Sequence, residues 1–112
     1  MTAANTEASV IAAKPPLFQP DRSEAETTET FRRLFALKRS FGPRPNKNDL
    51  AIALIGACIL EGFDNFFRIQ GAMRALGSKD GHILSILSGG TGDDPHHYSW
   101  RCDAKGRYSL HN

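Results

Sequence analysis

The side chains with the clearest chemical potential form a basic run ahead of the apolar half of the chain. Between residues 30 and 48 there are six lysines and arginines and no aspartate or glutamate. Residues 49–112 hold six basic and seven acidic groups, so the positive charge is concentrated in this run. Such a run attracts a polyanion, because each cation that meets a phosphate releases a condensed counterion. The same residues also suit a solvated helix end, and the sequence leaves both interpretations open.

The histidines and cysteines do not form a catalytic or metal-binding pattern. His96 and His97 lack a nucleophile or paired carboxylate at recognisable spacing, and no further Cys or His stands at ligand-like spacing to them. Cys58 and Cys102 fit no disulfide framework, and we expect both to be buried or half-buried. The sequence therefore predicts no enzyme, with no catalytic residue, no metal and no cofactor.

Composition divides the chain into three segments. Residues 1–22 are rich in Ala, Thr and Pro, which predicts a disordered tail. Residues 23–47 are predicted to form an amphipathic helix and a basic linker, with glutamates early and basic residues late, as the helix dipole favours. Phe31, Phe35 and Phe41 on this helix need cover, either from the chain's own core or from a second copy in a homodimer. Residues 48–112 are predicted to form one domain.

Three helices are predicted at the start of that domain. The first is capped by Asn48, is apolar on almost every side, and ends at Gly62, which indicates a central position. The second is capped by Asp64 and ends at Gly77. The third is capped by Ser78 and ends at the glycine pair at residues 89–90.

A β-hairpin is predicted to follow the helices. Its strands cover residues 97–102 and 107–111, and a turn at 103–106 carries glycine in its last position. Phe67 is predicted to belong to the buried stripe of the second helix. The other residues predicted to be buried are Ile55, Ile59, Ile69, Met73, Leu76, Ile83, Leu87 and Trp100.

The longest apolar run, at residues 51–60, is too short to span a bilayer. The first residues lack the basic start and apolar stretch of a secretory signal. We therefore expect a cytoplasmic protein with no membrane partner.

Residues 68–87 resemble a helix-turn-helix. Apolar Ile69, small Ala72 and the corner at Leu76 and Gly77 are followed by apolar residues of the next helix. With the hairpin added, residues 48–112 resemble the winged helix-turn-helix family. The resemblance implies an α+β, mainly α fold with three core helices and a C-terminal hairpin wing, here with an extra N-terminal helix.

The resemblance also implies binding of duplex DNA by a small transcriptional regulator of a bacterium or its mobile elements. Residues 78–88 would enter the major groove, where the base-facing side chains would be Ser78, Lys79, His82 and Ser85. The wing and the basic linker would hold phosphates through Arg101, Lys105, Arg107, Arg39, Arg44 and Lys47.

The alternative function is a winged-helix module for protein contacts that does not bind DNA. Residues 49–112 carry a net charge of −1, which does not favour a polyanion. The outward positions of the predicted groove helix also offer no Arg, Asn or Gln, which are the usual side chains for reading base edges.

Overall fold

The computed structural model describes residues 23–111, and the tail predicted for residues 1–22 lies outside them. Within this range the chain forms helices and one two-stranded antiparallel sheet, so it is α+β and mainly helical, as predicted. In chain order the elements are α1 Glu24–Ser40, α2 Lys47–Leu60, α3 Phe66–Ala75, α4 Asp80–Gly89, β1 Trp100–Cys102 and β2 Tyr108–Leu110.

Helix α2 is the central element, as its apolar sequence predicts. It contacts α1, α3, α4 and β2. Its small residues allow close approach, and a Cβ on Gly56 would lie 3.8 Å from Leu110 Cδ2. Ile52 and Leu60 nevertheless remain exposed, so the helix is not covered all round.

Eight of these nine residues predicted to be buried lie in the core, but the prediction for Phe67 is wrong. The side chain of Phe67 is 67% exposed, and Phe66 contacts the core in its place. The reason is helical geometry: Phe66 stands three residues before buried Ile69 and shares its face. Phe67 stands two residues before Ile69 and therefore points to the other side of α3.

The predicted caps of α2 and α3 are displaced by two residues and by one residue, respectively. Asn46, not Asn48, caps α2, and its side-chain oxygen accepts from the backbone amides of Asn48 (2.9 Å) and Asp49 (3.1 Å). Asn65, not Asp64, caps α3, and its side-chain oxygen accepts from the Arg68 amide. Both caps satisfy amides that have no partner inside the helix.

Helix α1 begins with a capping box and docks on the chain's own core. The Ser23 hydroxyl accepts from the Glu26 amide, and the Glu26 carboxylate accepts from the Ser23 amide. Leu34 is buried, and the Phe31 ring centroid lies 5.8 Å from that of Phe63. Phe35 stays 37% exposed, so the aromatic stripe is only partly covered.

The hairpin is shorter than predicted. Trp100 pairs with Leu110, and Cys102 pairs with Tyr108. The amides of His97 (3.1 Å) and Tyr98 (2.9 Å) donate to the Asp94 carbonyl instead, which makes this segment a turn rather than the start of β1.

The predicted turn at residues 103–106 is present. The Gly106 amide donates to the Asp103 carbonyl, and Gly106 has a φ of 81°. The Asp103 carboxylate accepts from the amides of Lys105 (2.8 Å) and Arg107 (3.0 Å), and these bonds lower the pKa of Asp103. A backbone bridge between Asn65 and Arg107 ties the residue that follows the turn to the cap of α3.

The two cysteines differ in burial. Cys58 is fully buried in α2, as predicted, whereas Cys102 is exposed and that prediction is wrong. Cys102 lies at the end of β1, beyond the part of the strand that Trp100 anchors in the core. Among residues 23–111, no helix combines the length and the apolar character needed to cross a membrane.

Candidate functional site

The corner between α3 and α4 is closed by backbone hydrogen bonds around a glycine. Gly77 has a φ of 96°, its amide donates to the Arg74 carbonyl, and the Ser78 amide donates to the Met73 carbonyl. This pair of bonds ends a helix in a Schellman motif. Ser78 was predicted to cap α4, and this prediction is wrong because its amide instead closes the end of α3. Lys79 occupies the capping position and makes no side-chain cap bond.

A cavity of about 350 Å³ lies beside this corner, and we call it the basic cavity. Its cationic side chains come from three different elements: Lys38 from the end of α1, Lys47 from the start of α2 and Lys79 from the cap of α4. Ser78 and His82 are the other polar residues of the lining. Within the described part of the chain, no aspartate or glutamate lines this cavity.

Two contacts hold the basic cavity together. The Lys38 ammonium donates to the Leu76 carbonyl at 2.6 Å. The Nε2 atom of His82 lies 3.4 Å from the carbonyl oxygen of Lys47. A Cβ added to Gly77 would stand 3.3 Å from the Lys38 Nζ, so the glycine also leaves room for the ammonium.

The acid nearest in sequence to Lys79 is neutralised by an ion pair. Arg74 donates two hydrogen bonds of 2.6 Å to the two carboxylate oxygens of Asp80. The hydrogen bond to Arg74 lowers the pKa of Asp80, so this carboxylate is fully ionised and paired near neutrality. Because the Asp80 carboxylate is paired with Arg74, it does not form an ion pair with the neighbouring Lys79.

The structure brings together part of the predicted DNA-contacting set. Lys47, Ser78, Lys79 and His82 all line the basic cavity. Ser85 is exposed on α4, three residues beyond His82. The two remaining linker cations, Arg39 and Arg44, are exposed. In the sequence they lie between Lys38 and Lys47.

The predicted wing cations lie elsewhere. Arg101, Lys105 and Arg107 are all exposed on the hairpin. Arg107 Nε lies 3.7 Å from the Asp64 carboxylate, just ahead of α3, whereas the basic cavity follows the end of α3. Helix α3 has ten residues, so about 15 Å of helix separates the two cationic regions.

In the part of the chain that the structure describes, a histidine and a carboxylate meet at one place on the surface. The one close histidine–carboxylate contact, between His97 Nδ1 and Asp94 at 2.8 Å, is exposed to solvent. Across residues 23–111, no three His, Cys, Asp or Glu side chains stand close enough to hold a metal ion.

Sequence reasoning overlooked Lys38 as a site residue. Lys38 belongs to the basic run and continues the helical spacing of Phe31 and Leu34, but this spacing does not indicate which group its ammonium meets. The signal that could have found it is its place at the end of α1, from which a long side chain can reach another helix terminus.

Comparison with protein-family models, with curated proteins and with solved structures finds no match to this chain.

Proposed function

We propose that this chain is a small cytoplasmic DNA-binding protein of winged helix-turn-helix type, acting as a transcriptional regulator in a bacterium or a mobile element. Supporting the proposal is the element order: a central helix, two helices joined by a tight glycine corner, and a hairpin. That order suits a fold that presents one helix and one hairpin together to a duplex.

The observation that carries the proposal is the convergence of Lys38, Lys47 and Lys79 on one cavity without an acidic lining residue. Like charges brought close together repel each other and lower stability. An anion that sits between them removes this penalty. A DNA phosphate supplies such an anion at every nucleotide, so the arrangement suits a backbone-binding surface.

Half-buried His82 and exposed Ser85 on α4 suit a modest contribution to sequence reading. His82 and Ser85 offer single hydrogen bonds, whereas discrimination between bases is strongest with bidentate side chains. Most of the affinity would therefore come from phosphates. The hairpin cations would provide a second set of phosphate contacts, about one length of α3 away from the first.

The test is a titration of the purified protein against random-sequence duplex at several salt concentrations. Lys79→Gln should weaken binding and reduce the slope of log affinity against log salt by about one unit. The matched control is Arg32→Gln, which removes one charge from an exposed position of α1 beside Glu29. It should leave the slope unchanged. No measurable affinity for duplex in low salt would reject the proposal.

The hairpin is tested separately. Changing Arg101, Lys105 and Arg107 together to Ala should weaken binding to every sequence alike, because phosphates are identical along the duplex. Changes at His82 or Ser85 should instead alter preference among sequences, by about 1–3 kcal/mol for each good base contact. If the changes at His82 and Ser85 also weaken binding to every sequence alike, α4 does not read base edges in the groove.

A protein-contact module is the second candidate, because a large apolar side chain is exposed on each side of the connection between α2 and α3. Leu60 is 75% exposed and Phe67 is 67% exposed. If the protein is inert towards duplex, this surface becomes the stronger candidate. Sedimentation equilibrium of the wild type and of Phe67→Ser would then show whether Phe67 mediates self-association.

A further inference from the structure

The floor of the basic cavity is apolar, which binding of a DNA phosphate does not require. Leu54 and Leu76 are each 1% exposed, Ala51 is 3% exposed, and Leu50 is partly buried beside them. A phosphate on a duplex stays hydrated and projects no apolar group. An apolar floor below a cationic rim instead suits a molecule that has an apolar body and an anionic end.

Three lysines bring positive charge to the rim of this one cavity. The Lys38 ammonium is fixed by its 2.6 Å bond to the Leu76 carbonyl, which uses one of its three donors. The other two donors of this ammonium are therefore held in place at the cavity and can bind an anion. Lys47 and Lys79 reach the same cavity from two further elements, so an anion there meets charge from several directions.

The volume limits the size of the occupant. A cavity of about 350 Å³ falls at the small end of known ligand pockets, and equals the volume of about a dozen waters. A molecule of about a dozen non-hydrogen atoms would fill it.

We propose that the basic cavity binds a small organic carboxylate with an aromatic or short alkyl body, its carboxylate on the lysine ammonium groups and its body against Leu50 and the lysine stems. This goes beyond DNA binding and does not require it. The carboxylate would pair with Lys38 first, because that ammonium is already positioned. The body would lie against Leu50 and the methylene stems of the lysines, which are the apolar part of the lining that water still reaches, and this contact removes apolar surface from water.

The probe is 4-phenylbutyrate, and its matched control is 4-phenylbutanamide, which has the same shape without the charge. Binding is followed on the protein alone, without DNA, by backbone amide chemical shifts in two-dimensional NMR. We expect 4-phenylbutyrate to bind with a Kd on the order of 1 mM. The shifts should centre on Gly77, Ser78 and Ala51. The amide should bind at least about fivefold more weakly.

Substitutions separate a specific site from general attraction. Lys38→Met keeps the apolar stem of the side chain and removes its charge, so it should weaken 4-phenylbutyrate at least about fivefold. Arg39→Met removes the same charge from the next residue, which does not line the cavity, and should change little. If Lys38→Met does not fold, Lys47→Met serves in its place.

Three results would overturn the inference. The first is equal affinity for the acid and the amide. The second is a set of shifts spread over the surface rather than centred on the basic cavity. The third is an equal loss of affinity in Lys38→Met and Arg39→Met. Because no DNA is present, a failure here leaves the proposed DNA binding standing, and a failure of DNA binding leaves this site standing.

Discussion

The ammonium of Lys38 donates to the carbonyl oxygen of Leu76 at 2.6 Å, joining the end of α1 to the end of α3. The last carbonyls of a helix lack partners within the helix, and the helix dipole favours a cation near them. Lys38 therefore supplies, from a distant part of the chain, a charged hydrogen-bond donor for a carbonyl at the end of α3. The contact also fixes how α1 sits against the corner at Gly77.

Lys38→Met should lower the free energy of unfolding by about 1–2 kcal/mol, because it removes a partly buried hydrogen bond made by a charged donor. Arg39→Met is the control, since Arg39 is exposed and should change stability by less than about 0.5 kcal/mol. Urea unfolding of both variants measures the difference. Equal stability of the two variants would show that the contact contributes nothing.

Gly90→Ala and Gly89→Ala should have opposite effects, although the two glycines are neighbours. A Cβ on Gly90 would lie 2.8 Å from Trp100 Cζ2, whereas one on Gly89 would meet nothing within 4 Å. Gly90→Ala should therefore cost about 1–3 kcal/mol by displacing the indole. Gly89→Ala should be neutral or stabilise by up to about 1 kcal/mol, because alanine favours the helix.

The readouts for this pair are the thermal midpoint and the fluorescence of Trp100, the single tryptophan of the chain. The indole donates to the Leu87 carbonyl at 2.9 Å and to the Thr91 hydroxyl at 3.0 Å. Its displacement should shift the emission to longer wavelength in Gly90→Ala alone. The same emission in both variants would show that the indole has not moved.

Ile55→Ala and Ile52→Ala compare the same substitution on two faces of α2. Ile55 is fully buried and Ile52 is 39% exposed. Ile55→Ala should cost about 2–5 kcal/mol, because it leaves a cavity in the core. Ile52→Ala should cost less than about half of that. Denaturant unfolding measures both, and a loss below about 1 kcal/mol for Ile55→Ala would mean that α2 is not central.

The Arg74–Asp80 pair should make stability depend on pH in the acid range. Because Arg74 lowers the pKa of folded Asp80 below its ordinary value of 3.8, the folded state favours the ionised carboxylate. This contribution is complete above pH 3.8 and is lost as the pH falls through the lower folded value.

Arg74→Met should therefore differ from the wild type most near neutral pH and least in strong acid. Urea midpoints of the two proteins at a series of pH values measure this. The Asp80 carboxyl titration, followed by NMR, should also move to a higher pKa in the variant. A difference in stability that stays constant down to strong acid would contradict the pairing.

The sequence predicts those parts of the fold that depend on local patterns. Gly62 and Gly77 follow α2 and α3 with φ values of 99° and 96°, so the stops predicted from the glycines are in place. The buried residues follow from helical spacing, since Ile69, Met73 and Leu76 lie on one face of α3.

The errors arise where two neighbouring residues suit the same role and a tertiary contact decides between them. Asp64 and Asn65 are both good caps, but the Asp64 carbonyl accepts from the Tyr108 amide at 2.7 Å. Asp64 therefore belongs to the hairpin contact, and Asn65 takes the cap. Local spacing carries no information on a contact made 44 residues along the chain.

The candidate site was only partly predictable for the same reason. Ser78, Lys79 and His82 stand together in sequence, so their common location follows from the corner. Lys38 reaches that corner from 38 residues before Leu76. Helical spacing places Lys38, unlike Arg39, on the face of buried Leu34, but it carries no information on the long-range contact with Leu76.

The contrast between the two cysteines makes this protein easy to label. Burial raises the pKa of the Cys58 thiol to about 12, so near neutral pH this sulfur is neither ionised nor within reach of a reagent. Cys102 is exposed at the end of β1, beside the hairpin turn. One equivalent of a maleimide dye should therefore attach at a single place without any prior mutation. A dye on Cys102 therefore reports from the hairpin. Its emission should change when a duplex or a second copy of the chain approaches the hairpin.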